Sequence, residues 1–322
     1  VTPTYNGCVG TPSSFTATIF PTPQITTPLL VQTLCENTAS NAVTFTSNLP
    51  NTAMTWTQGA TGANLSGMAL GSGNNPLPVM TISNSASVQQ SVIYQIQGTS
   101  VNNCLSPIVN YTINVNPIPV LVAPGSQTVC SGSPSSLVAF SADVLGSTFG
   151  WSVVVPVVNT LTGFIVSGTS SLSSMTLLNS SATPQTINYT VTPSAASCVG
   201  QSLNYSIIVN PSPNVVFSLP NQSICTGSSS NTVNLTSSTP NASITWTASV
   251  PNGIGGFVSL SGTNTIPSYT LTNTTANPLT ITITAIANTV GNLACPGLTS
   301  TYTIIVSPQP NVSVVVVNVL VT

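Results

Sequence analysis

Along most of this chain, apolar and polar residues alternate in short segments separated by turn-forming residues. In YTINVN at 111–116, Tyr111, Ile113 and Val115 fall on one face and Thr112, Asn114 and Asn116 on the other. That period of two marks a strand with one buried side. The segments around Ile93–Ile96, Ile187–Val191 and Ile281–Ile286 are apolar enough for strands, and Gly, Pro, Asn and Ser punctuate the chain between them. Strong helix formers such as Glu, Lys and Arg are absent or scattered. The pattern predicts short strands throughout and an all-β fold.

The pattern also repeats. A Pro-x-Pro follows an alternating segment four times, in FTATIFPTP, YTINVNPIP, YSIIVNPSP and YTIIVSPQP. The first prolines are Pro21, Pro117, Pro211 and Pro308, and an aromatic stands six residues before each: Phe15, Tyr111, Tyr205 and Tyr302. Cys35, Cys130 and Cys225 each precede a tryptophan by 21 residues, at Trp56, Trp151 and Trp246. Met54, Phe149 and Ile244 lie two positions before the tryptophans and share their side of a strand. A polar turn then opens at Asn84, Asn179 or Asn273, and a second cysteine follows at Cys104, Cys198 or Cys295. A period of about 95 residues with roughly seven short strands predicts immunoglobulin-like β-sandwiches in tandem, forming a rod. The expected boundaries are 24–119, 120–213 and 214–310. Residues 1–23 read as the last hairpin of a further repeat, and 311–322 as a first strand or a strand given to another subunit. Trp56, Trp151, Trp246, Tyr111, Tyr205 and Tyr302 are expected in the cores.

Composition narrows the function. In 322 residues there is no Lys, Arg or His, and the only carboxylates are Glu36 and Asp143. Without cations the chain cannot neutralise phosphates, which excludes ordinary nucleic-acid binding and a polybasic grip on membranes. No run of 18 apolar residues suggests membrane insertion as a helix. A net charge of −2 leaves little repulsion between copies.

Seven cysteines occur, two in each full repeat plus Cys8. Regular pairs in a strand-rich repeat predict disulfides and an oxidising, extracellular compartment. Pairing within repeats gives Cys35–Cys104, Cys130–Cys198 and Cys225–Cys295, with Cys8 unpaired within the chain. If the two cysteines of a repeat lie at opposite ends of the sandwich they cannot meet, and a bond to the next repeat, such as Cys35–Cys198, is the alternative. Zinc is a poor fit, since there is neither His nor a CxxC.

The strings VTPTYNGCVGTP, QTVCSGSPSS, NYTVTPSAASCVG and YSIIVNPSP resemble PKD-like, immunoglobulin-like repeats of very large Bacteroidota surface proteins. The resemblance implies type IX secretion, a cell-surface setting, and a stalk or filament role, with gliding adhesins among the relatives.

Catalytic chemistry is not expected. Serine nucleophiles need a base, normally His. Glu36 and Asp143 fall at non-equivalent positions in different repeats and do not predict a carboxylate pair; both read as solvated loop residues. GSGNN at 71–75 and GIGG at 253–256 read as turns. The sequons at Asn110 and Asn234 permit surface glycans. The expectation is a structural stalk or extracellular filament without enzymatic activity or cofactors, partnered by copies of itself or by continuing repeats. The alternative is a binding module that grips carbohydrate or a host protein with loops at the sandwich ends.

Overall fold

The computed structural model describes residues 1–27, 29–154, 160–291 and 293–311. The strand expected over residues 311–322 therefore lies, beyond Asn311, outside the described residues. The chain is all-β among the described residues and divides into two compact units. One comprises Val1–Val122, Ser141–Thr148 and Thr192–Gln201; the other comprises Ala123–Phe140, Phe149–Val191 and Ser202–Thr322.

One path of five strands occurs three times with the same order, and in the second copy a sixth strand, Cys198–Val199, pairs beside it. In the first copy the order across the sheet is Val31–Cys35, Val109–Asn116, Gln90–Thr99, Ala53–Thr61 and Ser72–Asn74. The first strand is parallel to its neighbour and places Cys35 opposite Asn116; the other pairings are antiparallel. Gln127–Cys130 and Gln222–Cys225 repeat this parallel pairing, with Cys130 opposite Asn210 and Cys225 opposite Ser307. Facing each sheet is a sparser layer. In the third copy it is the three-stranded sheet of Val216–Phe217, Val233–Thr236 and Thr265–Ile266. In the first it reduces to bridges such as Ile25 to Ser47 and Val43 to Leu77.

The inward faces meet as the alternation requires. Tyr94, Ile96, Tyr111, Ile113 and Val115 close one core with Phe45, Leu77 and Ile82. Ile281, Ile283, Tyr302, Ile304 and Val306 close another with Val233, Ile266 and Leu271. Trp56, Trp151 and Trp246 are buried, as are Tyr111, Tyr205 and Tyr302. Phe15, the fourth aromatic of the series, is 78% exposed, because residues 12–20 pair with no strand. The hairpin expected in 1–23 is confined to Thr4–Tyr5 and Cys8–Val9.

The glycine stretches are not all turns. Ser72–Asn74 and Ile254–Gly255 are strands. Gly73 sits opposite Trp56, and a Cβ there would overlap the indole at Cζ2. Gly168 and Gly262 stand in the same relation to Trp151 and Trp246. Only glycine leaves room for the indole to lie flat against that edge strand.

Candidate functional site: the Pro-x-Pro joints

Both disulfides cross from one repeat to the next. Cys35 bonds Cys198 and Cys130 bonds Cys295, with Cα atoms 5.6 and 5.4 Å apart. Cys104 and Cys225 join Cys8 as free cysteines. The pairings within repeats, Cys35–Cys104, Cys130–Cys198 and Cys225–Cys295, are thereby corrected in favour of the alternative. The physical reason is position. The first cysteine ends the parallel edge strand beside the Pro-x-Pro. The second lies in the turn before the strand that leads to the Pro-x-Pro, a sheet length away from the first cysteine of its own repeat.

Around each disulfide the chain forms the same joint. At the first, within one compact unit, Asn116 Nδ2 donates to the Ala196 carbonyl. Glu36 Oε1 accepts from the Ile118 N–H at 3.0 Å, and its Oε2 accepts from the Asn84 N–H at 3.2 Å. Asp143 Oδ1 accepts from the Val120 N–H at 2.7 Å. The two carboxylates, read from sequence as solvated loop residues, both hold backbone donors of the segment after Pro117. At the second joint, within the other compact unit, Asn210 Nδ2 donates to Leu293 O and Ser212 Oγ to Pro296 O. No charge takes part.

Glycine fits the joint where the chain crosses itself. A Cβ on Gly200 would collide with the Pro119 carbonyl oxygen, and one on Gly297 with that of Pro213. Each glycine follows its bonded cysteine by two positions, giving Cys198-Val199-Gly200 and Cys295-Pro296-Gly297.

The asparagine that opens the polar turn anchors the end of each sandwich, and sequence spacing alone gives no sign of how deeply. Asn179 Nδ2 donates to Thr183 O and to Val209 O, and its Oδ1 accepts from Ser181 N–H. Asn84 and Asn273 repeat all three bonds. The residue after the first cysteine caps this asparagine's own N–H each time, through Glu36, Ser131 or Thr226. A side chain that supplies both donor and acceptor to buried backbone groups cannot be replaced by hydroxyl or carboxylate alone.

Among the described residues, no group of three or more His, Cys, Asp or Glu is placed to hold a metal. No helix among them is long and apolar enough to cross a membrane. Asn110 and Asn234 lie on strands and are exposed. Burial raises the phenols of Tyr94, Tyr111, Tyr205 and Tyr302, and pushes that of Tyr189 up to about 12.

Known proteins give the following likenesses. The family model described as PKD-like domain matches residues 32–119 and 127–213, more than half of the chain. No curated protein matches. Among solved structures, the titin I-band fragment I67–I69 is 12% identical, covers 91% of this chain and 100% of its own, with a TM-score of 0.47. Mouse cadherin-23 EC22–24 is 12% identical over 89% of this chain and 99% of its own, with a TM-score of 0.37. At such identity the likeness concerns the immunoglobulin-like fold alone. The chain belongs to the PKD-like domain family and carries two tandem copies of that domain, followed by a third sheet of the same strand order.

Proposed function

We propose that this chain is a segment of an extracellular structural protein, a stalk or filament of PKD-like repeats exposed at the cell surface, without enzymatic activity. The observation that carries the reading is the pair of disulfides that tie one repeat to the next. A sandwich with a large apolar core does not need such a bond to fold. A bond between repeats instead limits how they move against each other, which serves a load-bearing or spacing element. Each also closes a loop of 163 or 165 residues, worth about 5 kcal/mol in the chain-entropy model. Such bonds persist in oxidising compartments. Prolines with fixed φ at each joint act in the same direction. The resemblance to large Bacteroidota surface proteins agrees with this role and suggests type IX export.

The test is immunoelectron microscopy of producing cells, combined with thiol labelling of the native protein. Label on threads outside the cell, with Cys35, Cys130, Cys198 and Cys295 protected from alkylation until reduced, is the expected result. Label confined to the cytoplasm, with those four cysteines freely alkylated, would overturn the proposal.

A further inference from the structure

The two disulfides interlock along the chain. Cys35–Cys198 closes over Cys130, and Cys130–Cys295 closes over Cys198. The chain therefore runs three times between the same two bonds, as residues 36–129, 131–197 and 199–294, which are 94, 67 and 96 residues long. Without the bonds these segments lie in series, and tension draws them out one after another. With both bonds they lie in parallel, so parting one bond from the other must lengthen all three.

Folding shortens the two outer segments to straps. Cys35 lies opposite Asn116 in the ladder of the first repeat. While that repeat stays folded, only residues 117–129 remain to span from it to Cys130. At the other joint Asn210 and Ser212 donate to Leu293 O and Pro296 O, on either side of Cys295. While the third repeat stays folded, only residues 199–209 remain to span from Cys198 to Asn210. Straps of 13 and 11 residues reach about 45 Å at about 3.5 Å per residue. Much of each strap is already an extended strand. Gln127–Cys130 pairs in parallel with Leu203–Asn210, which pairs antiparallel with Gln185–Val191. Little length is therefore in reserve. The 67 residues between Cys130 and Cys198 would reach about 240 Å if drawn out alone, and the straps forbid it.

We propose that the interlocked disulfides make the second repeat a strapped, load-sharing element: tension cannot draw it out until the first and third repeats have opened too. Load is then divided among three segments of chain, and the length released under load is capped. This deepens the stalk reading by giving the two bonds a mechanical task. Its failure would leave that reading standing, since the latter is tested by where the protein lies and by whether its cysteines are bonded.

The experiment pulls the 322-residue chain by its ends in an optical trap, first oxidised and then with a thiol reductant, after peptic mapping has verified both bonds. Fully drawn out, the path from Cys35 to Cys295 is 260 residues without the bonds and 68 with them, running from Cys198 back to Cys130. Reduction should therefore lengthen the chain by about 660 Å at about 3.5 Å per residue. The oxidised chain should give one long step of about 200 Å, coming last, and the reduced chain three long steps. The bonds should also be non-additive. Cys35→Ser and Cys130→Ser each leave one bond, closing 165 or 163 residues, and each should still withhold about 570 Å. These lengths hold whether or not a variant folds, and Cys104→Ser should behave as the parent. Three long steps from the oxidised chain, or single-bond lengths that add up to the total, would overturn the proposal.

Discussion

Replacing Asn273 with alanine tests whether the turn asparagine holds the end of the sandwich. Its Nδ2 donates at 2.8 Å to both Asn277 O and Val306 O, and its Oδ1 accepts from Thr275 N–H at 2.9 Å and Thr275 Oγ at 2.8 Å. The side chain is buried, and Val306 lies in the core strand Ser300–Ser307. A neutral hydrogen bond is worth about 1 kcal/mol net, and a buried group left without a partner costs about 1–3 kcal/mol. Thr275 can turn to water, since it is exposed; the Val306 carbonyl cannot. The loss should come to about 3 kcal/mol, or roughly 150-fold in the opening equilibrium at 1.4 kcal/mol per factor of ten. Hydrogen exchange of peptic fragments from Leu279–Asn288 and Ser300–Ser307 reads that equilibrium where exchange proceeds through opening of the sheet. Asn273→Asp should be worse than alanine near neutral pH, since a carboxylate would face two carbonyls with no donor. Exposed Asn277→Ala should change exchange by less than about threefold. If Asn273→Ala also stays within about threefold, the asparagine network does not anchor the sandwich and the reasoning fails.

Two further outcomes follow from the cores. Gly262→Ala puts a methyl 2.6 Å from Trp246 Cζ2, while the indole is held by its Nε1 bond to Thr265 O; overpacking should cost about 2 kcal/mol. Chemical denaturation should show a lowered midpoint with altered tryptophan fluorescence, whereas Gly125→Ala, which meets nothing within 4 Å, should not shift it. Alkali should destabilise the protein. Tyr189 titrates at about 12 when folded against an ordinary value of 10.0, because burial penalises the phenolate, and Tyr94, Tyr111, Tyr205 and Tyr302 shift the same way. The folded state thus holds its protons more tightly. The stability is complete below pH 10 and is lost as pH rises from 10 towards 12. Denaturation midpoints across that range, with the absorbance of the five buried tyrosines rising on unfolding, check this; a midpoint flat to pH 12 contradicts it.

Much of the fold is legible because its signals are periodic. The run Tyr111, Ile113, Val115 and the tryptophans at fixed distance from Cys35, Cys130 and Cys225 mark core positions, and all of these apolar side chains are buried. What periodicity does not show is the direction of the edge strand. Cys35 lies on a strand parallel to Val109–Asn116, which puts it at the Pro-x-Pro end of its sandwich, and the disulfide partner follows from that. The glycine of Ser72–Asn74 reads as a turn residue because a strand of three residues carries no alternation. A signal is nonetheless present: Gly73, Gly168 and Gly262 recur 16 or 17 residues after each tryptophan. Glu36 and Asp143 escape for another reason. Sequence places them in different repeats, and only folding brings both against the residues following Pro117.

That convergence bears on how a chain almost without charge orders its joints. The first joint uses both of its carboxylates on backbone N–H groups, bonds roughly twice as strong as neutral ones. Among the described residues, the second has an amide and a hydroxyl donating to carbonyls, at 3.2 and 3.4 Å. The disulfide and the glycine crossing are common to both. What they share is therefore covalent and steric, and what differs is polar. The shared part needs no charge, so it can recur wherever the pattern Cys…Pro-x-Pro meets Cys-x-Gly. It is also insensitive to salt, since neither a covalent bond nor a close backbone contact is screened. Such a joint suits repeats that differ in their surface loops, because it asks for three small features of sequence and leaves the remaining positions free.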